Sequence, residues 1–365
     1  MKILFVLEYY FPNIGGVEKL FKSLTERLVE NGHEVTVVTS RFNKELPKNE
    51  TINGVHVNRL NLSNRFLFTF FGFFSIFKIA VNFDLIHTTS YNAAVPSWLI
   101  AKLLRKKNII TFHEYWGKLW FNLPYLNTFQ KIMFFSYEYF ITKLKFDNYI
   151  AVSEYTKSRL IEAGIKPEKI TQIYNGIDSK DYQLKAPVKS EIFTFTYFGR
   201  LGVSKGIDLI LPAAKAITSK YPDSCFKLII PKTPPGFYKK IMKTLREMDF
   251  GDQLKLFHHL DFESLKEEVA SSHVVLIPSY SEGFCFAAVE STSLQVPIIS
   301  SNRGALKETV SGRCIKMKEL TFSALESALF RAKNKDFDAV KLRNFSLEKS
   351  LREYLLFYDS LWLQK

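Results

Sequence analysis

Cysteine is scarce in this chain: Cys225, Cys285 and Cys314 are the full set, an odd number at wide spacings. They form neither a disulfide framework nor the paired spacing of a zinc site, so a reducing, cytoplasmic compartment is expected. Glycine and proline together supply 29 of 365 residues, which excludes collagen-like and low-complexity classes. Long apolar runs are lacking too. Ile3–Leu7 is cut off by Glu8, short of the about 7–15 apolar residues of a signal peptide. Phe66–Phe77 is interrupted by Thr69 and Ser75, stops at Lys78, and falls short of the roughly 18–20 residues that cross a bilayer. Neither secretion by that route nor a spanning helix is expected. His258, His259 and His273 have no partners at metal-ligand spacing, and no carboxylate cluster suggests a cation, so no metal is expected.

What is present is a globular composition, 47% hydrophobic and 24% charged, in a chain long enough for two ordinary domains. The net charge of +14 is unevenly placed. Residues 51–150 hold eleven Lys/Arg against four Asp/Glu, half the total excess, together with 24 of the 55 aromatic residues. Two readings fit this segment. A basic, aromatic surface suits an anionic membrane face, with rings at headgroup level; equally, a Phe-rich helix can be buried beside ordinary solvated lysines. A helix from Phe66 to Val81 would be apolar on nearly every side, more than one packing face needs. Nucleic acid is not expected, since no recognition motif accompanies the charge.

Short β-rich runs alternate with helical patterns, the arrangement that builds a parallel sheet covered by helices. Strands are expected at Lys2–Leu7, Glu34–Thr39, Val55–Asn58, Leu85–His87, Ile109–His113, Tyr149–Val152 and Ile170–Ile173. The apolar spacing of Val17–Glu30, stopped by Asn31-Gly32, completes a first βαβ unit. After a polar stretch near Asp181–Glu191 the pattern restarts with strands at Phe193–Phe198, Phe226–Ile230, Leu254–Phe257, Val274–Ile277 and Pro297–Ser300. Helical patterns follow at Phe322–Ala332 and Leu347–Leu363. The expected class is therefore α/β, two Rossmann-like doubly wound domains at 1–183 and 184–346. Ligands of such sheets bind at the strands' carboxyl ends, which would place the site in a cleft between the domains.

Four segments at such strand ends could carry chemistry. In PSYSEGFCFAAVESTSLQVPIIS, Pro278–Ser300, a strand feeds a loop that opens a helix. Glu282 falls in the loop, Gly283 permits close backbone approach, and the amides near Phe284, Cys285 and Phe286 begin the helix, an end that attracts anions. Glu290, eight positions after Glu282 and roughly two turns along, can accept two hydrogen bonds from a ribose diol. Alone, the pair would equally fit a helix-start glutamate and a solvated one. In YFGRLGVSKGIDLI, Tyr197–Ile210, Arg200 can grip phosphate oxygens bidentately and Lys205 act as a point charge, stabilising a departing diphosphate. Gly15-Gly16, ahead of the first helix, can cradle a phosphate or shape an acceptor site, although a tight turn explains two glycines as well. His113, in TFHEYWG, can hydrogen-bond a sugar hydroxyl or a phosphate, or serve the core.

Together these segments resemble the retaining, two-domain glycosyltransferases of family 4, in the glycosyl transferases group 1 superfamily with the GT-B fold. The resemblance covers nearly the whole chain, in order: GGVE at Gly15–Glu18, NGHEVTVVT at Asn31–Thr39, DLIHTTS at Asp84–Ser90, TFHEYWG, VSEYTKSRL at Val152–Leu160, YNGID at Tyr174–Asp178, YFGRLGVSKG and PSYSEGF. It implies that Glu282 and Glu290 form the family's E-x7-E motif, the first facing the donor sugar and the second holding the ribose. It implies that Arg200 and Lys205 bind the diphosphate, that Gly16 lies near diphosphate and acceptor, and that His113 lies close to the transferred sugar. It also implies that the helix at 347–365 packs back on the first domain.

The activity implied is metal-independent transfer of a hexose-type sugar, with retention, from a nucleoside-diphosphate sugar; the basic aromatic segment at 51–150 points to a lipid-linked or polysaccharide-precursor acceptor, with a soluble acceptor as the alternative. No cofactor is required beyond that co-substrate, and the enzyme would sit at the cytoplasmic membrane face, peripherally, through residues 51–150. Departures gather round the donor loops: Gly283-Phe284-Cys285 stands for the usual Gly-Phe-Gly, Arg303-Gly304 for paired glycines, and Pro212 falls inside an expected helix, which it should kink. Cys285 and Arg303 motivate the alternative, a catalytically silent nucleotide-sugar-binding protein of the same fold.

Overall fold

A computed structural model describes residues 1–13, 15–62, 65–184 and 188–362. Ile14 of the glycine loop, the Phe66 side chain, residues 185–187 of the expected linker and Leu363 lie outside the described residues. The chain forms two compact units. One comprises Met1–Phe121, Thr128–Gly176 and Phe345–Lys365, the other Asn122–Asn127 and Ile177–Asn344. The second unit thus begins ahead of the boundary expected at 183/184. The residues just past Gly176 are tied into it: Tyr182 hydrogen-bonds Glu290 at 2.8 Å, and the Asp181 carbonyl accepts from Lys266 at 2.6 Å.

The first unit is built in chain order from β1 (Lys2–Val6), α1 (Gly16–Glu30), β2 (Glu34–Ser40), β3 (Asn49–Ile52), β4 (Val55–Leu60), α2 (Arg65–Ala80), β5 (Leu85–Thr89), α3 (Ala94–Leu104), β6 (Lys107–Phe112), α4 (Thr128–Lys143), β7 (Asn148–Ala151), α5 (Glu154–Glu162) and β8 (Ile170–Gln172). Its sheet runs β3-β4-β2-β1-β5-β6-β7-β8, parallel except for the β3–β4 pair. Strands covered on both faces must be apolar on both, and Ile3, Leu4, Phe5 and Val6 are all fully buried. Ile3 and Phe5 pack with Phe21 and Leu24 of α1. Leu4 and Val6 pack on the opposite face with Phe68 and Ile76 of α2 and Ile100 of α3. β3, absent from the expected strands, is a half-exposed edge whose NETI sequence carries no apolar alternation to mark it.

The second unit contains β9 (Phe193–Phe198), α6 (Ile207–Lys220), β10 (Ser224–Ile229), α7 (Pro235–Met248), β11 (Leu254–Phe257), α8 (Phe262–Ala270), β12 (Val274–Ile277), α9 (Phe286–Ser293), β13 (Ile298–Ser300), α10 (Leu306–Thr309), β14 (Gly312–Lys316), α11 (Phe322–Lys333) and β15 (Asp338–Val340). The order is β11-β10-β9-β12-β13-β14-β15, parallel apart from the last pair. Pro212 lies inside α6, which runs on through it. Phe195 and Phe226, stacked on adjacent strands at 5.4 Å, centre a core with Ile210, Leu276 and Leu329. β14 and β15 were not among the expected strands either; GRCIK is broken by two cations and a glycine, and DAV is only three residues long.

After the second unit the chain returns to the first through α12 (Leu347–Trp362). Leu351, Tyr354, Tyr358 and Leu361, spaced three and four apart, present one buried stripe to the sheet face already covered by α1. Arg27 of α1 grips Glu348 through two 2.8 Å contacts, and the Tyr358 hydroxyl hydrogen-bonds the buried ring of His87 on β5.

Candidate functional site in the second unit

The second sheet begins at β9 and is extended first on one side by β10 and then on the other by β12, so the switch point lies between β9 and β12. Loops leaving neighbouring strands diverge there, and ligands of open α/β sheets bind in the crevice so formed. The loops leaving β9, β12 and β13 at this end are laced together. Tyr280 N donates to the Ser204 carbonyl at 2.7 Å, Ala305 N to the Glu282 carbonyl at 2.8 Å, and the Ser301 hydroxyl to the Ser279 carbonyl at 2.6 Å.

Two glycines make that lacing possible. Both have positive φ, +72° at Gly206 and +60° at Gly304, and both meet backbone too closely for a side chain. A Cβ on Gly206 would stand 2.2 Å from the Pro278 carbonyl oxygen, and one on Gly304 would stand 2.6 and 2.8 Å from Glu282 backbone atoms.

Glu282 is thereby fixed through its backbone, and its carboxylate is fixed as well. Lys205 donates to both carboxylate oxygens, at 2.7 and 2.9 Å, and the Ser279 hydroxyl donates to one at 2.7 Å. Glu282 is buried and Lys205 partly exposed, so the pair is desolvated on its acidic side only. Arg200 is exposed at the end of β9, its carbonyl accepting the Tyr197 hydroxyl at 3.0 Å. Burial holds that hydroxyl well above the usual tyrosine range, and Lys205, Glu282, Cys285 and Arg200 are all close enough to bear on it electrostatically.

Gly283 and Phe284 are buried, and α9 starts only at Phe286. Because Glu282 to Cys285 is loop, Glu290 sits four residues into α9, and the two carboxylates are not two helical turns apart as the spacing suggested. Cys285 is the residue before the helix, at φ +77°, and its side chain makes no capping hydrogen bond. Burial, then the neighbouring Glu282 carboxylate, pushes its thiol far above the usual range, so it stays protonated. Glu290 accepts from the Tyr182 hydroxyl. Asp208, in the first turn of α6, accepts from Tyr280 at 2.7 Å, which braces the same loop a second time.

Sequence reasoning passed over Ser279, Tyr182, Tyr280 and Asp208. Ser279 lies three positions ahead of Glu282 in the same loop, outside any helix start, so no local pattern marked the contact between the two side chains. Tyr182 had none either, since it reaches Glu290 across 108 positions.

In the first unit the switch point lies between β1 and β5. Gly16 opens α1 just past the loop after β1. Glu18, in the first turn of α1, folds its carboxylate back over Gly15 and accepts from Asn13 at 3.0 Å, while Glu8 accepts from Asn92 at 2.8 Å. His113 follows β6 half-buried, edge-on to Phe21 with centroids 5.8 Å apart. Its loop is fastened by the buried Glu138 of α4. That carboxylate accepts from the Trp116 and Gly117 amides, the Trp120 indole and the Tyr91 hydroxyl, at 2.6 to 3.0 Å.

Two Rossmann-like units, each with charged and glycine-bearing loops at its switch point, define a protein of the GT-B class. Its first part, residues 14–181, matches Glycosyltransferase Family 4, and residues 178–313 match Glycosyl transferases group 1. The chain belongs to glycosyltransferase family 4, within the group 1 superfamily. It is 25% identical over 348 residues to a human phosphatidylinositol N-acetylglucosaminyltransferase subunit, covering 91% of this chain and 69% of that one. Among solved structures it is similar to the sucrose-phosphate synthase of Thermosynechococcus elongatus, with TM-score 0.77 at 18% identity and full coverage of both chains. It is also similar to Anabaena HepE in complex with UDP and glucose, with TM-score 0.72 at 15% identity, covering 99% of this chain and 100% of that one.

Proposed function

We propose that this chain transfers a sugar, with retention of anomeric configuration and without a required metal, from a nucleoside-diphosphate sugar to a lipid-linked or polysaccharide-precursor acceptor. The observation that carries this reading is the Lys205–Glu282–Ser279 cluster at the β9/β12 switch point, with Arg200 beside it and α9 opening from the same loop. Cations and helix amides held at a strand end are suited to the charge that develops on a departing diphosphate. Arg200 and Lys205 supply that charge stabilisation. Glu282, held on three sides, is the carboxylate that faces the donor sugar, and Glu290 on α9 takes the ribose, with Tyr182 orienting one of its oxygens. Gly283, Phe284 and Cys285 line the donor's approach, Gly16 lies near diphosphate and acceptor, and His113 lies close to the transferred sugar. Several similar proteins carry N-acetylglucosaminyltransferase names, so the sugar proposed is a hexose or its 2-acetamido derivative. A lipid-carried acceptor brings the enzyme peripherally to a membrane, at its cytoplasmic face.

The test is a thermal-shift screen of nucleoside diphosphates and their sugars in EDTA, on wild type, Glu290→Ala and Lys205→Ala. A ligand at about 100 times its dissociation constant adds roughly 2.7 kcal/mol of stability. A shift with one base, lost in both variants, supports the reading and names the base. No shift with any would overturn it. A shift without transfer to any acceptor would favour a silent binder.

A further inference from the structure

We propose that the outer face of α2, α3 and α4 docks on an anionic lipid bilayer. The proposal deepens the lipid-linked acceptor reading and rests on it for its purpose, though not for its test. The three helices cover one face of the first sheet side by side. α2 and α3 share a core beneath them, and Ala94 of α3 shares the next core with Ile141 of α4. Their inward residues satisfy the packing, as Phe68, Ile76, Ile100 and Ile141 are buried. Many of the outward ones are large and apolar. Phe70 and Phe74 of α2 are each 73% exposed and Phe129 of α4 74%, with Phe71, Leu103 and Phe140 also exposed. Single exposed apolar side chains are ordinary, but a set spread over three adjacent helices marks an interaction surface.

The charge on these helices selects the partner. Across α2, α3 and α4 the one carboxylate is Glu138, and it is buried under four hydrogen bonds. Lys78, Lys102 and Lys143, in their last turns, are exposed, and Arg105 and Lys145 just beyond α3 and α4 are exposed as well. A second copy presenting the same face would set cations against cations with no carboxylate to pair them. An anionic headgroup layer over hydrocarbon satisfies both features: rings enter at the headgroup level while Lys and Arg meet lipid phosphates. Among the described residues no helix is long and apolar enough to cross a membrane, so the contact is a surface one.

Flotation of the full chain with phosphatidylcholine vesicles and with phosphatidylcholine–phosphatidylglycerol vesicles tests this. Wild type should float with the anionic vesicles, far less with the neutral ones, and be partly released by salt. The triple variant Phe70→Ser, Phe74→Ser, Phe129→Ser should lose binding. Lys78→Glu, Lys102→Glu, Lys143→Glu should weaken it by on the order of a hundredfold or more. All six positions are solvent-facing, so both variants should keep the wild-type melting temperature and its shift with nucleoside diphosphate. Binding unchanged in the variants, or no binding by wild type, would overturn the proposal. So would a wild-type dimer that the Phe variant converts to monomer. Binding that persists without any nucleotide response would instead sink the transferase reading and leave the docking face standing.

Discussion

The Lys205 ammonium lies 2.7 Å from one oxygen of Glu282 and 2.9 Å from the other, joining the loop after β9 to the loop after β12 across the switch point. Removing the cation leaves a buried carboxylate whose remaining side-chain donor is the Ser279 hydroxyl. Lys205→Met should therefore cost about 2–3 kcal/mol, less than a fully buried pair because the lysine is partly exposed. Glu282→Gln should cost less, and the double variant should recover part of the loss. Urea unfolding of the four proteins reads the coupling, and strict additivity would show that the contact contributes nothing to stability.

Cys285 stands in the left-handed region at φ +77°, a conformation that costs a non-glycine residue about 1 kcal/mol or more. Cys285→Gly should stabilise the protein by up to about 1 kcal/mol, the strain relieved outweighing the added freedom of the unfolded chain. Cys285→Ala should not stabilise it, because alanine meets the same backbone penalty. Paired urea midpoints decide; equal gains in both would place the effect in the side chain's surroundings instead.

The two sheets were legible because parallel strands buried on both faces read as short unbroken apolar runs. VVLI is such a run, and FTFTYF stands out by its β-propensity, two threonines alternating with aromatic rings. The edges β3 and β15 were not legible, since strands half in water need no such run. Lys205, Glu282 and Ser279 illustrate the same division at the site. Two loops with charges at strand ends could be picked out locally, but that Lys205 would close on Glu282 follows only from β9 and β12 being neighbours. The contact of Tyr182 with Glu290 was hidden because it too is made only by the tertiary fold, and so was the role of Glu138, a carboxylate in an aromatic helix that the fold turns inward.

Glu138 carries a carboxyl that burial raises above the usual range while four donors pull it back. Glu138→Gln keeps the shape but replaces one acceptor oxygen by an amide nitrogen, so two of the four donors lose their partner. The expected cost is about 2–4 kcal/mol, with a red-shifted emission as Trp116 and Trp120 loosen. Tyr91→Phe, which removes one donor and strands none, should cost about 1 kcal/mol. If Glu138→Gln were as mild as Tyr91→Phe, the carboxylate would not be what fastens the His113 loop.

His87 is fully buried between β5 and α12, where it meets the Tyr358 hydroxyl and, at 2.8 Å, the Thr111 hydroxyl. Burial first, and the nearby His113 second, lowers its pKa to about 3. The folded protein therefore binds this proton less readily than the unfolded chain, whose histidine titrates near 6.5. The contribution is fully present above pH about 6.5 and declines as pH falls towards 3, by about 1.4 kcal/mol per pH unit. Unfolding free energies at pH 7, 6 and 5 should fall accordingly, and His87→Gln, whatever its own cost, should flatten the slope over that window. A slope unchanged in the variant would assign the acid sensitivity to other groups and leave the α12 contact insensitive to pH.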